Sequence, residues 1–277
     1  MVGAGTMGRG IAQVAARAGY EVLLHDIDEA RVEGGLSGVR DGLAKGVARG
    51  KLSEREREEA LARLRGTTDL DRSAVQSDLV IEAVPEELDL KLETFRRLDA
   101  AASDGTILAT NTSSLSVSRI AEATKRPGLV VGMHFFNPVP AMPLVEIVRG
   151  STTSPGVIEA VRATAVRMGK ETIVVRDSPG FATSRLGVAL GLEAMRMLEE
   201  GVASAADIDR AMELGYGHPM GPLRLTDLVG LDVRLAIAEH LSRELGGERF
   251  RPPDILRRMV AEGKLGKKTG EGFYRWD

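Results

Sequence analysis

Gly3-Ala4-Gly5-Thr6-Met7-Gly8 is the stretch on which the reading of this chain turns. It fits the pattern G-x-G-x-x-G and runs directly into Ile11, Val14, Ala15 and Ala18, apolar residues at helical spacing. Such a turn needs glycine for three reasons: one makes the tight bend, one lets backbone N–H groups approach a pyrophosphate, and one allows helix and strand to pack closely. Any glycine-rich turn can match the pattern, so its surroundings decide. The helical stretch ends at Gly19, an apolar run follows, and that run closes on Asp26. An acidic residue about 20 positions past the glycines can accept both ribose hydroxyls and repels a 2′-phosphate. Gly3, Gly5, Thr6, Met7, Gly8 and Asp26 are therefore the expected binding residues for NAD rather than NADP. Only Met1 and Val2 precede the motif, whereas the strand before it normally brings several apolar residues into mid-sheet. The expectation is a natural chain that starts several residues earlier.

Working outward, near-continuous apolar runs predict strands at 20–26, 78–84, 106–110, 129–134, 144–148 and 172–176, as suits a parallel sheet covered on both faces. A charged helical excursion spans 29–64, broken near Gly50 and restarted at Ser53 with Glu56 in capping-box register. Beyond Arg176 the strand signal stops. Asp177-Ser178-Pro179-Gly180 punctuates a helix start, and helices are expected at 181–200, 204–214, 226–245 and 254–262. The fold class is thus α/β: a Rossmann-type, mostly parallel, doubly wound sheet in 1–177, followed by an all-α domain in 178–277.

Composition narrows the chemistry. The chain has 277 residues, 43% hydrophobic and 28% charged, with a net charge of −3 and no cysteine. Disulfides, thiolate metal sites and a cysteine nucleophile are excluded. A near-neutral charge argues against a nucleic-acid partner, and no apolar run approaches the ~18 residues of a membrane span. The expectation is a cytoplasmic protein with no metal. Amides are scarce: Asn111 and Asn137 are the two asparagines in the chain.

Both asparagines fall where an α/β sheet places its ligand crevice. Asn111 lies in Asn111-Thr112-Ser113-Ser114-Leu115 after one strand, and Asn137 in His134-Phe135-Phe136-Asn137-Pro138 after another. His134 has a side chain suited to proton transfer at neutral pH, and Glu146, within the apolar Leu144-Val145-Glu146-Ile147-Val148, can fix its tautomer and stabilise the imidazolium. A glutamate inside such a strand otherwise has no partner. Ser113 can hydrogen-bond a substrate oxygen. A core histidine satisfied by a backbone carbonyl is the plainer account of His134 if the nucleotide motif is set aside.

These segments, with Asp-Ser-Pro-Gly-Phe at 177–181, His-Pro-Met-Gly-Pro at 218–222 and Gly-Lys-Lys-Thr-Gly-Glu-Gly-Phe-Tyr at 266–274, closely resemble the L-3-hydroxyacyl-CoA dehydrogenases over the full chain. The resemblance implies NAD-dependent interconversion of (S)-3-hydroxyacyl-CoA and 3-ketoacyl-CoA, of the 3-hydroxybutyryl-CoA/acetoacetyl-CoA type. It implies His134 as acid/base, Glu146 as its orienting partner and Ser113 on the 3-oxygen. It also implies Asp26 on the adenosine ribose, Glu86 and Lys91 on the nicotinamide side with Asn111, and Asn137 supporting the substrate loop. Where the family carries Asn before the Arg of the Pro-Gly-Phe helix, this chain has Ser184-Arg185, so Ser184 is the corresponding active-site candidate. Arg40, Lys45, Arg49 and Lys51 suit a solvated charged face, with Lys51 retained as a candidate for CoA phosphates. Lys267 and Lys268 carry the same ambiguity. A homodimer built on the helical domain is expected from the same resemblance. The alternative is a related Rossmann dehydrogenase acting on a non-CoA hydroxy acid such as gulonate. An NAD-binding protein without catalysis is a further rival, against which the set of His134, Glu146 and Ser113 speaks.

Overall fold

Val2 is the pivot of the sheet in the computed structural model, which describes residues 1–276. The strands are β1 (Val22–His25), β2 (Leu64–Thr67), β3 (Leu79–Glu82), β4 (Ile107–Thr110), β5 (Val130–Phe135), β6 (Leu144–Arg149) and β7 (Glu171–Arg176). β2 pairs with β1, and β3 to β7 pair in sequence order. Val2 makes parallel bridges to both His25 and Glu82, and so joins the two groups. The pairing is parallel except between β5 and β6. Beside Met1 lies a cavity of about 810 Å³ lined by Ile11, Leu23, Leu79, Ile81 and Val161 among others. The Met1 amino group donates to Leu23 O at 2.8 Å, and burial pushes its pKa down to about 5.

Helices cover the sheet: α1 (Thr6–Arg17), α2 (Glu29–Ala48), α3 (Glu54–Ala62), α4 (Leu70–Val75), α5 (Leu88–Ala101), α6 (Val117–Ala121) and α7 (Pro155–Arg167). The stripe of α1 serves two cores, Ile11 and Val14 joining Ile81, Met133 and Ile147, while Ala12, Ala15 and Ala16 join Leu24, Val39 and Leu43. Each large aliphatic side chain buried there contributes roughly 1.5–3 kcal/mol. Gly50, at φ +65°, separates α2 from α3, and Ser53 and Glu56 form the capping box.

Two expectations are corrected. The helical excursion does not run to residue 64: α3 ends at Ala62 and Leu64 opens β2. That strand, Leu64-Arg65-Gly66-Thr67, has no fully buried residue, so it carries no apolar run to read. The single helix expected at 226–245 is two, α10 (Pro222–Val229) and α11 (Leu231–Leu245), separated by Gly230 at φ +102°, a backbone conformation that glycine alone adopts without strain.

The chain divides into two compact units, Met1–Asp177 and Ser178–Asp277. The second is helical, with α8 (Thr183–Glu199), α9 (Ala205–Tyr216), α10, α11 and α12 (Asp254–Ala261) around Val188, Leu192, Met195, Leu223 and Leu241. Buried Asp227 ties down the C-terminal segment by accepting from Phe273 N, Tyr274 N and Trp276 Nε1. Among the described residues no helix is long and apolar enough to cross a membrane, and no group of three or more His, Asp or Glu is placed to hold a metal.

Candidate active site

The three glycines of the opening motif play separate parts. Gly3 has φ +93°, and a Cβ there would lie 2.7 Å from Ala83 O. A Cβ on Gly8 would come within 1.7 Å of Gly3 O, which shows how closely helix and strand meet. A Cβ on Gly5 would meet nothing within 4 Å. Gly5 is the N-cap of α1 and carries no side chain to cap it, so the first amides of the helix, at Thr6, Met7 and Gly8, present their partial positive charge toward that open space. A pyrophosphate suits this arrangement. Asp26, just past β1, accepts from Ala4 N and Ile27 N, both at 2.8 Å, and so stands against the motif itself. Ile27, next to it, is 74% exposed, an apolar surface beside the Asp26 carboxylate that sequence reasoning passed over. Open turn, helix N-terminus and acidic strand end together fit NAD.

The ends of β3 and β4 add a second cluster. Glu86 Oε1 accepts from Thr112 Oγ1 at 2.5 Å, from Ser113 N at 2.8 Å and from Ser113 Oγ at 3.3 Å. Glu86 Oε2 lies 3.3 Å from Lys91 Nζ. Burial raises the Glu86 pKa, but the Lys91 ammonium, the Thr112 hydroxyl and the Ser113 amide outweigh it, leaving the carboxyl below the ordinary glutamate range. Asn111 Oδ1 accepts from Phe135 N at 2.9 Å, bracing the turn that bears Ser113 against the strand that bears His134.

His134 and Glu146 are paired by backbone register across β5 and β6. His134 Nδ1 lies 2.7 Å from Glu146 Oε2, with both side chains buried, and the His134 ring packs 4.4 Å from that of Phe136. A carboxylate on Nδ1 sets the tautomer that puts the lone pair on Nε2.

The structure therefore brings Ser113, Glu86 and Lys91 into one network, with Asn111 bridging to the strand of His134. Asn137 is exposed at the start of the following loop. That loop is held by buried Lys170, whose Nζ donates to Val139 O at 2.5 Å and Met142 O at 2.8 Å, a role no motif announces. Ser184 stands in the first turn of α8, in the helical unit. Lys51 is exposed beyond α2, and Arg40 pairs with Glu33 rather than pointing to a shared basic patch. Lys268 binds Asp232 through both carboxylate oxygens.

Residues 1–178 match the family model described as 3-hydroxyacyl-CoA dehydrogenase, NAD binding domain, and residues 180–276 match the C-terminal domain of the same family. The chain is 44% identical over 277 residues to a probable 3-hydroxybutyryl-CoA dehydrogenase of Bacillus subtilis, covering 100% of this chain and 96% of that protein. It is 45% identical over 278 residues to a 3-hydroxybutyryl-CoA dehydrogenase of Mycobacterium tuberculosis, covering 100% and 97%. The crystal structure of (S)-3-hydroxybutyryl-CoA dehydrogenase from Ralstonia eutropha superposes with a TM-score of 0.95 at 44% identity, covering 100% of this chain and 97% of that one.

Proposed function

This chain belongs to the 3-hydroxyacyl-CoA dehydrogenase family and is an NAD-dependent oxidoreductase of 3-hydroxyacyl-CoA; we propose that its substrate pair is (S)-3-hydroxybutyryl-CoA and acetoacetyl-CoA, with His134 as the acid/base. The observation that carries the mechanism is the buried His134–Glu146 pair in the same sheet as the dinucleotide turn.

Bound NAD supplies the hydride acceptor. In the oxidative direction His134 Nε2 takes the 3-hydroxyl proton as the C3 hydride departs, and the Glu146 carboxylate stabilises the imidazolium that results. Ser113 donates to the 3-oxygen, and Asn137 supports the substrate loop. Glu86, Lys91 and Asn111 order the nicotinamide side, while Asp26 takes the adenosine ribose and, by charge, disfavours a 2′-phosphate. Ser184 stands in for the family asparagine as a shorter hydrogen-bonding group. Lys51 is assigned to the CoA phosphates. The protein contributes position and proton transfer; the redox chemistry belongs to the cofactor.

The same proposal includes a cytoplasmic setting, consistent with a chain free of cysteine, and a homodimer. Leu186, Leu225, Leu228, Val229 and Val233 of the helical unit are all exposed, and a second copy is the partner assigned to them. NADH oxidation assayed with acetoacetyl-CoA, free acetoacetate and gulonate-type acids in parallel tests the substrate. Turnover confined to the CoA thioester supports it, and equal or faster turnover of a free acid overturns it.

A further inference from the structure

Glu82, the last residue of β3, belongs to none of the motifs above, and its side chain is 0% exposed. A carboxylate so placed is costly unless it is both paired and fully hydrogen-bonded. It is. Oε1 accepts from Lys91 Nζ at 2.6 Å and from Val84 N at 2.7 Å, and Oε2 accepts from Thr110 Oγ1 at 2.7 Å. Lys91, itself 1% exposed, has Val84 O and Glu86 Oε2 as its other contacts, each at 3.3 Å. The ammonium thus has one carboxylate behind it, wholly enclosed, and one in front, which reaches the turn carrying Ser113. The chain of contacts runs Thr110, Glu82, Lys91, Glu86, Ser113. It borders the dinucleotide turn directly, since Ala83 N donates to Val2 O and a Cβ on Gly3 would touch Ala83 O.

We propose that Glu82 is a positioning residue for the cofactor: it anchors the Lys91 ammonium, so that Lys91 and Glu86 meet the dinucleotide as a preformed unit. This rests on the assignment of Glu86 and Lys91 to the nicotinamide side. Three short hydrogen bonds from three different segments leave Glu82 one orientation, and Lys91 has a second, longer ion pair to spare for a ligand. The Glu82 charge is what keeps the ammonium in place when Glu86 turns to a new partner. A pair that only filled space would do as well with apolar groups, because buried ion pairs add little stability over packed hydrophobic residues.

The test uses the full chain with Glu82→Gln, Lys91→Met and the double variant. NADH affinity is measured by fluorescence titration without acyl-CoA, alongside kcat, KM for NADH and melting temperature. Glu82→Gln is expected to weaken NADH binding and raise KM by about tenfold, the scale of one charge-assisted hydrogen bond, with kcat at saturating NADH little changed. In the Lys91→Met background the same change is expected to have no further effect. A lowered melting temperature with unaltered NADH affinity would make Glu82 structural only, and an undiminished effect in the Lys91→Met background would show that it does not act through Lys91. If Glu82→Gln fails to fold, Glu82→Asp, which keeps the charge but draws it back from Lys91 by one methylene, replaces it in both backgrounds: weaker NADH binding with Lys91 present and no further effect on Lys91→Met supports the proposal, and unaltered affinity with Lys91 present overturns it. Because the titration needs no acyl substrate, inactivity toward acetoacetyl-CoA would count against the substrate reading alone.

Discussion

His134 and Glu146 face each other across the antiparallel step of the sheet, Nδ1 to Oε2 at 2.7 Å. Facing residues of an antiparallel pair project from the same side of the sheet, so the carboxylate is delivered to the imidazole by register rather than by a mobile loop. This predicts an asymmetric pair of variants. His134→Ala removes the proposed proton acceptor and should lower kcat by about 10³-fold, within the usual range for a general base. Glu146→Gln keeps the imidazole but loses the charge that stabilises its protonated form, and should cost roughly 10²-fold. NADH affinity by titration should be unchanged in both, and a His134→Ala enzyme with near-normal turnover would remove the residue from the mechanism.

The glycines of the dinucleotide turn should fail in different ways. At Gly8 a methyl group would collide with Gly3 O at 1.7 Å, and neither backbone segment can withdraw. Gly8→Ala should therefore destabilise the protein by several kcal/mol and be seen as a lowered melting temperature or insoluble expression. At Gly5 the backbone is extended, at φ −65° and ψ −169°, and the added methyl meets no protein atom. Gly5→Ala should melt close to the parent yet bind NADH at least about tenfold more weakly, because the methyl occupies the space left for the pyrophosphate.

Asp26 is the residue proposed to set the preference for NAD, and it gives a test of that proposal. It already accepts two backbone N–H groups, so its carboxylate is held in place before any ribose arrives. Asp26→Ala should raise KM for NAD about tenfold and, by removing the repulsion of a 2′-phosphate, improve NADP relative to NAD by a larger factor than it damages NAD itself. Steady-state kinetics with both nucleotides measures the ratio. An unchanged ratio would place the discrimination elsewhere.

How much of this was legible in the sequence depended on whether a signal was local. The runs that became β1 and β3 to β7 are apolar along most of their length, and the turn before α1 announces itself by glycine spacing. Leu64–Thr67 is half exposed at the sheet edge and reads like the end of a charged helix. Gly230 reads as a tolerated glycine inside an apolar helical pattern until its positive φ is known. At the site, the partnership of His134 with Glu146 follows from chemistry, since a glutamate in an apolar strand needs a reason. Glu82, also a glutamate in an apolar run, has no histidine or other chemical partner beside it in a neighbouring motif to point to its use. Its partners Lys91 and Thr110 lie 9 and 28 residues away on different elements, and only the strand order brings them to one carboxylate. Ile27 and Lys170 escaped for the same reason, because exposure and long-range carbonyl contacts leave no pattern in a single chain.

Asp227 predicts the stability of the helical unit. It is buried, and three N–H donors from the last turns of the chain converge on it, those of Phe273, Tyr274 and Trp276. Asp227→Ala removes the acceptor of all three partly buried donors, and at about 1 kcal/mol for each hydrogen bond lost the destabilisation should be about 3 kcal/mol. Trp276 is the chain's single tryptophan. Its fluorescence should therefore report the release of the C-terminal segment at a denaturant concentration well below that needed for the parent.

Glu86 predicts how acid acts on the site. Its carboxyl titrates below the ordinary glutamate range because Lys91, Thr112 and the Ser113 amide favour the charged form by more than burial opposes it. The folded pKa is thus below the unfolded one, so the protein binds fewer protons folded than unfolded between the two values. Stability from this group is fully present above the unfolded glutamate pKa and is lost as pH falls through the depressed folded value. Glu86→Gln lacks the ionisation and should show no such loss. The melting temperature of the parent should therefore exceed that of Glu86→Gln by a constant margin from about pH 7 down to about pH 5, then converge on it as the solution is acidified further. A margin that stayed constant into strong acid would mean that the carboxylate is not held in its charged form by these contacts, and that the turn carrying Ser113 is ordered by something other than Glu86.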